Sequence, residues 1–496
     1  MFSKTISAIG ERLNPVFIKE MRQYFQNRRM IIFMGLLLLA QFICTLFFSS
    51  AMAFNGNDES GVAFFLLIVF AGAILSVIIC AVGAEQRFAE ERSDKELNYA
   101  MLTTLKPSSI IWGKLEGAAV MLLCIFSMLL PFLTAAYFMR GLSAASLLFT
   151  LCLFPVLVLY SLAGIFAGAF GLKWISGLYI AAIIGSGLFL AVPAFQVIED
   201  LMERGDLGSF FWVAVLVEYK LAFLLGALLF LLALAVISPP KSNRFCAAKV
   251  YLFLLPAISL VLMAPYYFAV RGSTSYPPEM FYTIEFMFCV FSFGVMTLVA
   301  VCEPPVNSIR VYMNCPRNFF GRFLHFLFSS GSAGSLLLTF PVLLLAAALI
   351  PVAKLSRSDV VIFCGLLSIL VSFLGYAILA LLLGRRTKIP PLGWLIMFEI
   401  LTNIIVWIPF VAVSTSLRSV PQPVRIASMV FSHIYCLFET FDVSSRSNDT
   451  FYALGFTLCV TGALFLILLP GVVKSFRQHR HPDIEIKPPT KEMLGK

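Results

Sequence analysis

Residues able to do chemistry are sparse in this sequence, and most of them sit in two polar runs. The first is Asn14-Pro15-Val16-Phe17-Ile18-Lys19-Glu20-Met21-Arg22. The second spans Glu85–Lys114. It opens on Glu85, Arg87, Glu90, Glu91 and Arg92 and continues through Ser93-Asp94-Lys95-Glu96. Adjacent carboxylates such as Glu90 and Glu91 could divide acid and base roles. Here they stand among charges of both signs, the pattern of a solvated helix face. Glu399 is different: it lies alone in an apolar stretch, where a carboxyl is costly and is a functional candidate by default. Glu116, Glu218, Lys220 and Glu285 fall near the ends of apolar stretches, so their side chains are expected to reach the interface or water.

The motifs of enzymes are missing. No G-x-x-x-x-G-K-[ST] phosphate loop occurs: Gly113-Lys114 is followed by Leu115, and Ser108 stands where the first glycine would be. H-E-x-x-H and G-x-S-x-G are absent too. The four histidines are His325, His433, His479 and His481, and their spacing along the chain gives no ligand pattern for a metal. The eleven cysteines are scattered without a C-x-x-C pair, as expected of small apolar packing residues. The chain is therefore expected to be no enzyme, with no catalytic residue, no metal and no cofactor of its own.

The elements that carry these residues follow from composition. Of the 496 residues, 60% are hydrophobic and 12% are charged, against about 25% charged in soluble domains. Apolar runs of about 20 residues recur, the length of a membrane-crossing helix. Lipid offers no partners to backbone amides, so such runs must be helices. The sequence reads as spans at 30–53, 62–84, 114–138, 145–170, 175–197, 219–238, 250–270, 281–302, 334–353, 359–384, 391–415 and 450–474. The expected fold is thus an all-α polytopic membrane protein of twelve transmembrane helices in two six-helix halves. With the N-terminus inside, 27 of the 36 Lys and Arg residues fall on the inner side, which puts both termini in the cytoplasm. The net charge of +10 then belongs to the inner face. No basic surface with interleaved aromatics calls for nucleic acid. The first 29 residues lack the apolar region of a cleavable signal.

Residues 1–29 are expected to form a cytoplasmic amphipathic helix, residues 30–240 a first six-span domain, 241–474 a second, and 475–496 a cytoplasmic tail. Asn14 suits an N-cap and Pro15 the first helical position. Leu13, Phe17, Met21, Tyr24 and Phe25 would form the apolar face, with Lys19, Glu20, Arg22, Gln23 and Gln26 turned away. Ser93-Asp94-Lys95-Glu96 reads as a capping box that starts a short helix, 93–105, with Leu97, Met101 and Leu105 on one side. Pro107 would end it, and Ser108 or Ser109 would cap the third span. Asn318–Phe328 reads as a further interfacial helix, and the apolar patch 426–438 is too short to span.

These two runs resemble the permeases of the type 2 ABC exporter family. Asn14, Pro15, Lys19, Glu20 and Arg22 are similar to the family's opening pattern, and Glu91, Arg92, Leu97, Thr103, Leu105, Pro107, Ile110, Gly113 and Lys114 to a second pattern, without a gap. Lys95, Glu96, Asn98 and Thr104 depart from it, where the family often has Gly, Thr, Glu and Pro. The likeness covers residues 10–240. It implies that 93–105 is a coupling helix seated on a separate ABC ATPase subunit, with Glu91, Arg92, Lys95, Glu96, Leu97, Met101, Leu105 and Pro107 at the contact. It implies ATP and Mg²⁺ in that partner, a homodimer or second permease to complete the translocator, and the inner cell membrane as location. From the residues alone, two other classes stay open. One is an ion-coupled secondary transporter, for which Glu399, Gly164–Gly171 and Gly185–Gly187 speak. The other is a membrane scaffold subunit.

Overall fold

The computed structural model describes residues 14–55, 59–94, 105–138, 144–170, 177, 179–180, 209–239, 242–270, 279–303, 309–352, 357–384, 387, 389–402 and 447–479. Among them every regular element is a helix. Eight helices are long and apolar enough to cross a membrane, or nine if one bent pair counts as a span. All but three residues of the expected span 175–197, most of the coupling helix, the far part of 391–415 and the patch 426–438 lie outside the described residues. The chain divides into two compact units, Met1–Ser238 and Pro239–Lys496.

In the first unit α1 (Pro15–Gln26) leads to α2 (Arg28–Asn55). Asn27 breaks them in extended conformation, and its carbonyl accepts from Met30 N at 3.0 Å to start the span. The second span is α3 (Glu59–Ser76), a π-helical turn (Val77–Val82) and α4 (Gly83–Ser93), so the charged run from Glu85 to Arg92 continues the helix of the span. α5 (Pro107–Phe138) is the third. A fourth is formed by α6 (Ala144–Cys152) and α7 (Phe154–Gly168), and the last is α8 (Ser209–Ile237). Phe64, Ile68, Met121, Leu122, Ile125, Leu129 and Phe149 make one buried core, while Phe88, Ile110, Ile111, Ile165 and Ala233 make another. Outward residues such as Leu39, Phe42, Ile43 and Phe47 are exposed and apolar, as a lipid-facing surface must be.

Two glycines of α7 explain its close approach to the second span. A Cβ on Gly164 would stand 2.2 Å from the Ala81 carbonyl oxygen, and one on Gly168 would stand 2.5 Å from that of Glu85. This small-x-x-x-small spacing lets two backbones touch, the usual device of helix association in lipid. It gives part of the glycine-rich stretch a packing role.

The second unit holds α9 (Cys246–Val270), α10 (Glu279–Cys302), α11 (Ile309–Met313), α12 (Phe319–Phe328), α13 (Ser332–Val352), α14 (Arg357–Gly384), α15 (Pro391–Thr402) and α16 (Ser447–Gln478). Its core includes Phe293, Leu336, Leu374, Ile378 and Leu468. α12 meets α13 at 92°, consistent with the interfacial helix expected at 318–328.

Three local expectations change. Ser93 is the last residue of α4, and its hydroxyl donates back to the Glu90 carbonyl at 2.8 Å instead of facing forward as a cap. Ser108 and Ser109 do not precede the third span as caps but lie in the first turn of α5, which Pro107 starts. A proline lacks an N–H and has its φ preset, so it suits a first helical turn as well as a stop. Lys220 and Glu285 do not reach an interface but are buried, and Ser259 Oγ donates to Glu285 Oε2 at 2.6 Å.

Candidate functional site

The two polar runs meet in space. Gly113 and Gly117, one turn apart on α5, form the floor on which α1 rests. A Cβ at Gly113 would come within 2.8 Å of Asn14 Nδ2 and 2.9 Å of the Phe17 backbone nitrogen, and at Gly117 within 3.0 Å of Glu20 Cβ. Asn14 serves both helices. Its Oδ1 accepts from Val16 N at 3.1 Å, capping α1, and its Nδ2 donates to the Ser109 carbonyl at 2.6 Å.

This docking turns Glu20 inward. The residue assigned to the polar face is 3% exposed, whereas Phe25 of the expected apolar face is 53% exposed. The reason is Lys114, buried on α5, whose ammonium pairs with Glu20 Oε1 and, at 2.8 Å, with Glu91 Oε2 on α4. Glu91 Oε1 then accepts from Lys19 Nζ at 2.8 Å. The result is an alternating chain, Glu20–Lys114–Glu91–Lys19, running from the interior to the surface. It has two carboxylates and two ammonium groups, so no uncompensated charge is buried. The Arg87 guanidinium lies 3.6 Å from the centre of the Tyr24 ring, and Lys114 Nζ 4.9 Å from that of Phe88.

Of the residues named from the sequence, Asn14, Pro15, Lys19, Glu20 and Glu91 belong to this junction. Arg22 is exposed and Arg92 half-buried. Leu105 and Pro107 are half-buried at the start of the third span. Lys95, Glu96, Leu97 and Met101 lie outside the described residues. The segment 95–104 runs from α4, which carries Glu91, to α5, which carries Lys114, so the ion-pair chain joins the helices on either side of it. Such a network can hold two helix ends in one arrangement. It has no nucleophile–base geometry for bond-making chemistry.

Glu399 is half-buried on α15, whose Leu392, Trp394, Leu395 and Phe398 pack with Phe373, Tyr376, Ala377 and Ala380 of α14. A second buried ion pair went unnoticed in the sequence. Lys249 of α9 and Glu303 after α10 are fully buried and 2.7 Å apart. Lys249 also donates to the Ser329 carbonyl, and Glu303 Oε2 accepts from Gly331 N at 2.9 Å and from Ser335 Oγ. This pair holds the α12–α13 bend. No spacing signal could have revealed partners 54 residues apart in chain number. Likewise Cys315, His325 and His479, from three separate segments, bring one donor atom each within 4.8 Å of the others.

Comparison of the chain with family models, curated proteins and solved structures gives no match. What fold and composition define is a multi-pass helical membrane protein.

Proposed function

We propose that the chain is the membrane-spanning permease subunit of an ATP-driven exporter of the type 2 ABC kind, powered by a separate nucleotide-binding subunit. On this reading it has twelve spans, both termini in the cytoplasm, and a place in the inner cell membrane. The observation that carries the reading is the junction itself. Residues that resemble the family's two patterns, 72 and 94 positions apart, share one site: Glu20 reaches Lys114 and Lys19 reaches Glu91, while Asn14 holds the Ser109 carbonyl beside them.

The chemistry of ATP hydrolysis belongs to the partner on this view. The partner's ATP-bound form would bind one arrangement of the segment 95–104 more tightly than the other, and only that differential affinity can move the spans. The ion-pair chain then has a physical task. It ties both ends of the coupling segment and α1 into one body, so that a push is carried to the second and third spans without being absorbed in a loose loop.

The test is a mild-detergent pull-down of the chain coexpressed with its native neighbours, scored for a copurifying ATPase. The same assay is run with Leu97, Leu105 and Pro107 replaced by charged or flexible residues. Capture by wild type and loss from the folded variant is the expected result. A folded chain that captures no ATPase would overturn the permease reading in favour of an ion-coupled transporter or a scaffold.

A further inference from the structure

The junction of α11, α12 and the end of α16 gathers a donor set that the sequence did not suggest. Cys315 follows α11, His325 lies on the second turn of α12, and His479 follows α16 directly. Cys315 and His479 are 3% and 1% exposed, while His325 is half-buried and gives the group a side open to solvent. His325 Nδ1 faces His479 Nε2 at 2.8 Å, and Cys315 Sγ lies 3.8 Å from the His479 carbonyl oxygen. Tyr312 and Phe326 wall the His479 ring, with centroids 5.2 and 5.4 Å away. His479 N bonds back to the Ser475 and Phe476 carbonyls at 3.1 Å, which holds its backbone at the end of the helix.

From this arrangement we propose that Cys315, His325 and His479 bind a zinc ion that fastens the end of the last helix to the interfacial helix. One thiolate and two imidazoles are a donor set that zinc takes in four-coordinate sites, with the fourth position left to water. Tetrahedral coordination needs donor atoms about 3.3–3.6 Å apart. The three donors already lie within 4.8 Å of one another, so small side-chain rotations, which part the two facing nitrogens from 2.8 Å, reach that spacing. Arg322 repels a bound cation but favours the thiolate. Its guanidinium is drawn aside over the Phe476 ring, 5.0 Å from the centroid.

The proton balance is simple. The Cys315 thiol proton leaves to solvent as the S–Zn bond forms. The proton shared between the two facing nitrogens moves to the outer nitrogen of its own ring. One proton is therefore released per zinc bound.

The experiment uses the full chain in detergent, stripped with a chelator and titrated with Zn²⁺ against a chromophoric competitor. One zinc per chain is expected. Cys315→Ser and His479→Gln should each weaken binding by more than about 100-fold, beyond what loss of a supporting residue costs. Cys302→Ser, at an exposed cysteine, should leave it unchanged. Cobalt in place of zinc should give a thiolate charge-transfer band that Cys315→Ser removes. Because a variant could fail to fold, alkylation is followed in wild type as well: Zn²⁺ should protect Cys315 and not Cys302. Sub-stoichiometric binding, unchanged affinity in folded Cys315→Ser, or a Cys315 alkylation rate indifferent to Zn²⁺ would each overturn the proposal.

Discussion

Replacing Lys114 by Met isolates what holds α1 to the third span. Glu20 is 3% exposed, and its carboxylate is paired with Lys114. Glu91 keeps Lys19 at 2.8 Å when Lys114 is lost, so the penalty falls on Glu20. Removing one partner of a buried pair costs about 3–5 kcal/mol, because the other charge stays buried without compensation. If that cost is relieved by α1 lifting away, its opening becomes roughly 150- to 5,000-fold more frequent. Hydrogen exchange of the peptide covering residues 15–26, in detergent, reads this directly. Lys19→Met is the comparison. Lys19 is 45% exposed, so its pair is screened and its loss should change exchange by less than about tenfold. The double variant Glu20→Leu with Lys114→Met should exchange nearly as slowly as wild type, since neither charge remains to be buried. Exchange in Lys114→Met within threefold of wild type, or a double variant as open as the single one, would refute the reasoning.

Two further outcomes follow from packing and burial. Gly164→Ala puts a Cβ 2.2 Å from the Ala81 carbonyl oxygen and should destabilise the first unit by about 1–3 kcal/mol, the usual cost of overpacking. Gly226→Ala, whose Cβ would meet nothing nearer than Leu159 Cδ1 at 3.9 Å, should not; equal midpoints of thermal unfolding for both variants would contradict the close approach. Lys249→Met strands the Glu303 carboxylate beside α13 and should cost about 3–5 kcal/mol in the same assay, with Lys249→Met/Glu303→Gln recovering most of it. A single variant as stable as wild type would show that the buried pair does not hold the bend.

Local rules carried the sequence reading where a feature depends on neighbours in the chain. Run length gave helices at nearly every expected span that is described, because a backbone in lipid has no other way to satisfy its amides. Asn14 and Pro15 announced the start of α1, since capping uses groups within three residues. The same local rules failed where one pattern has two readings. Ser108 and Ser109 suit a cap, yet α5 has already begun at Pro107. Glu20 looked solvent-facing because periodicity knows only its own helix.

The polar sites were of the second kind. Lys114 was visible as part of a motif, but its two carboxylate partners come from different helices. Lys249 with Glu303, and His479 with His325 and Cys315, are separated by up to 164 residues. Hydrophobicity is summed along a segment, so the sequence by itself determined that the chain is a bundle of membrane helices. Ion pairs and ligand sets are made between segments, and burial decides whether a charge must have a partner. Only the tertiary structure could decide which charges meet.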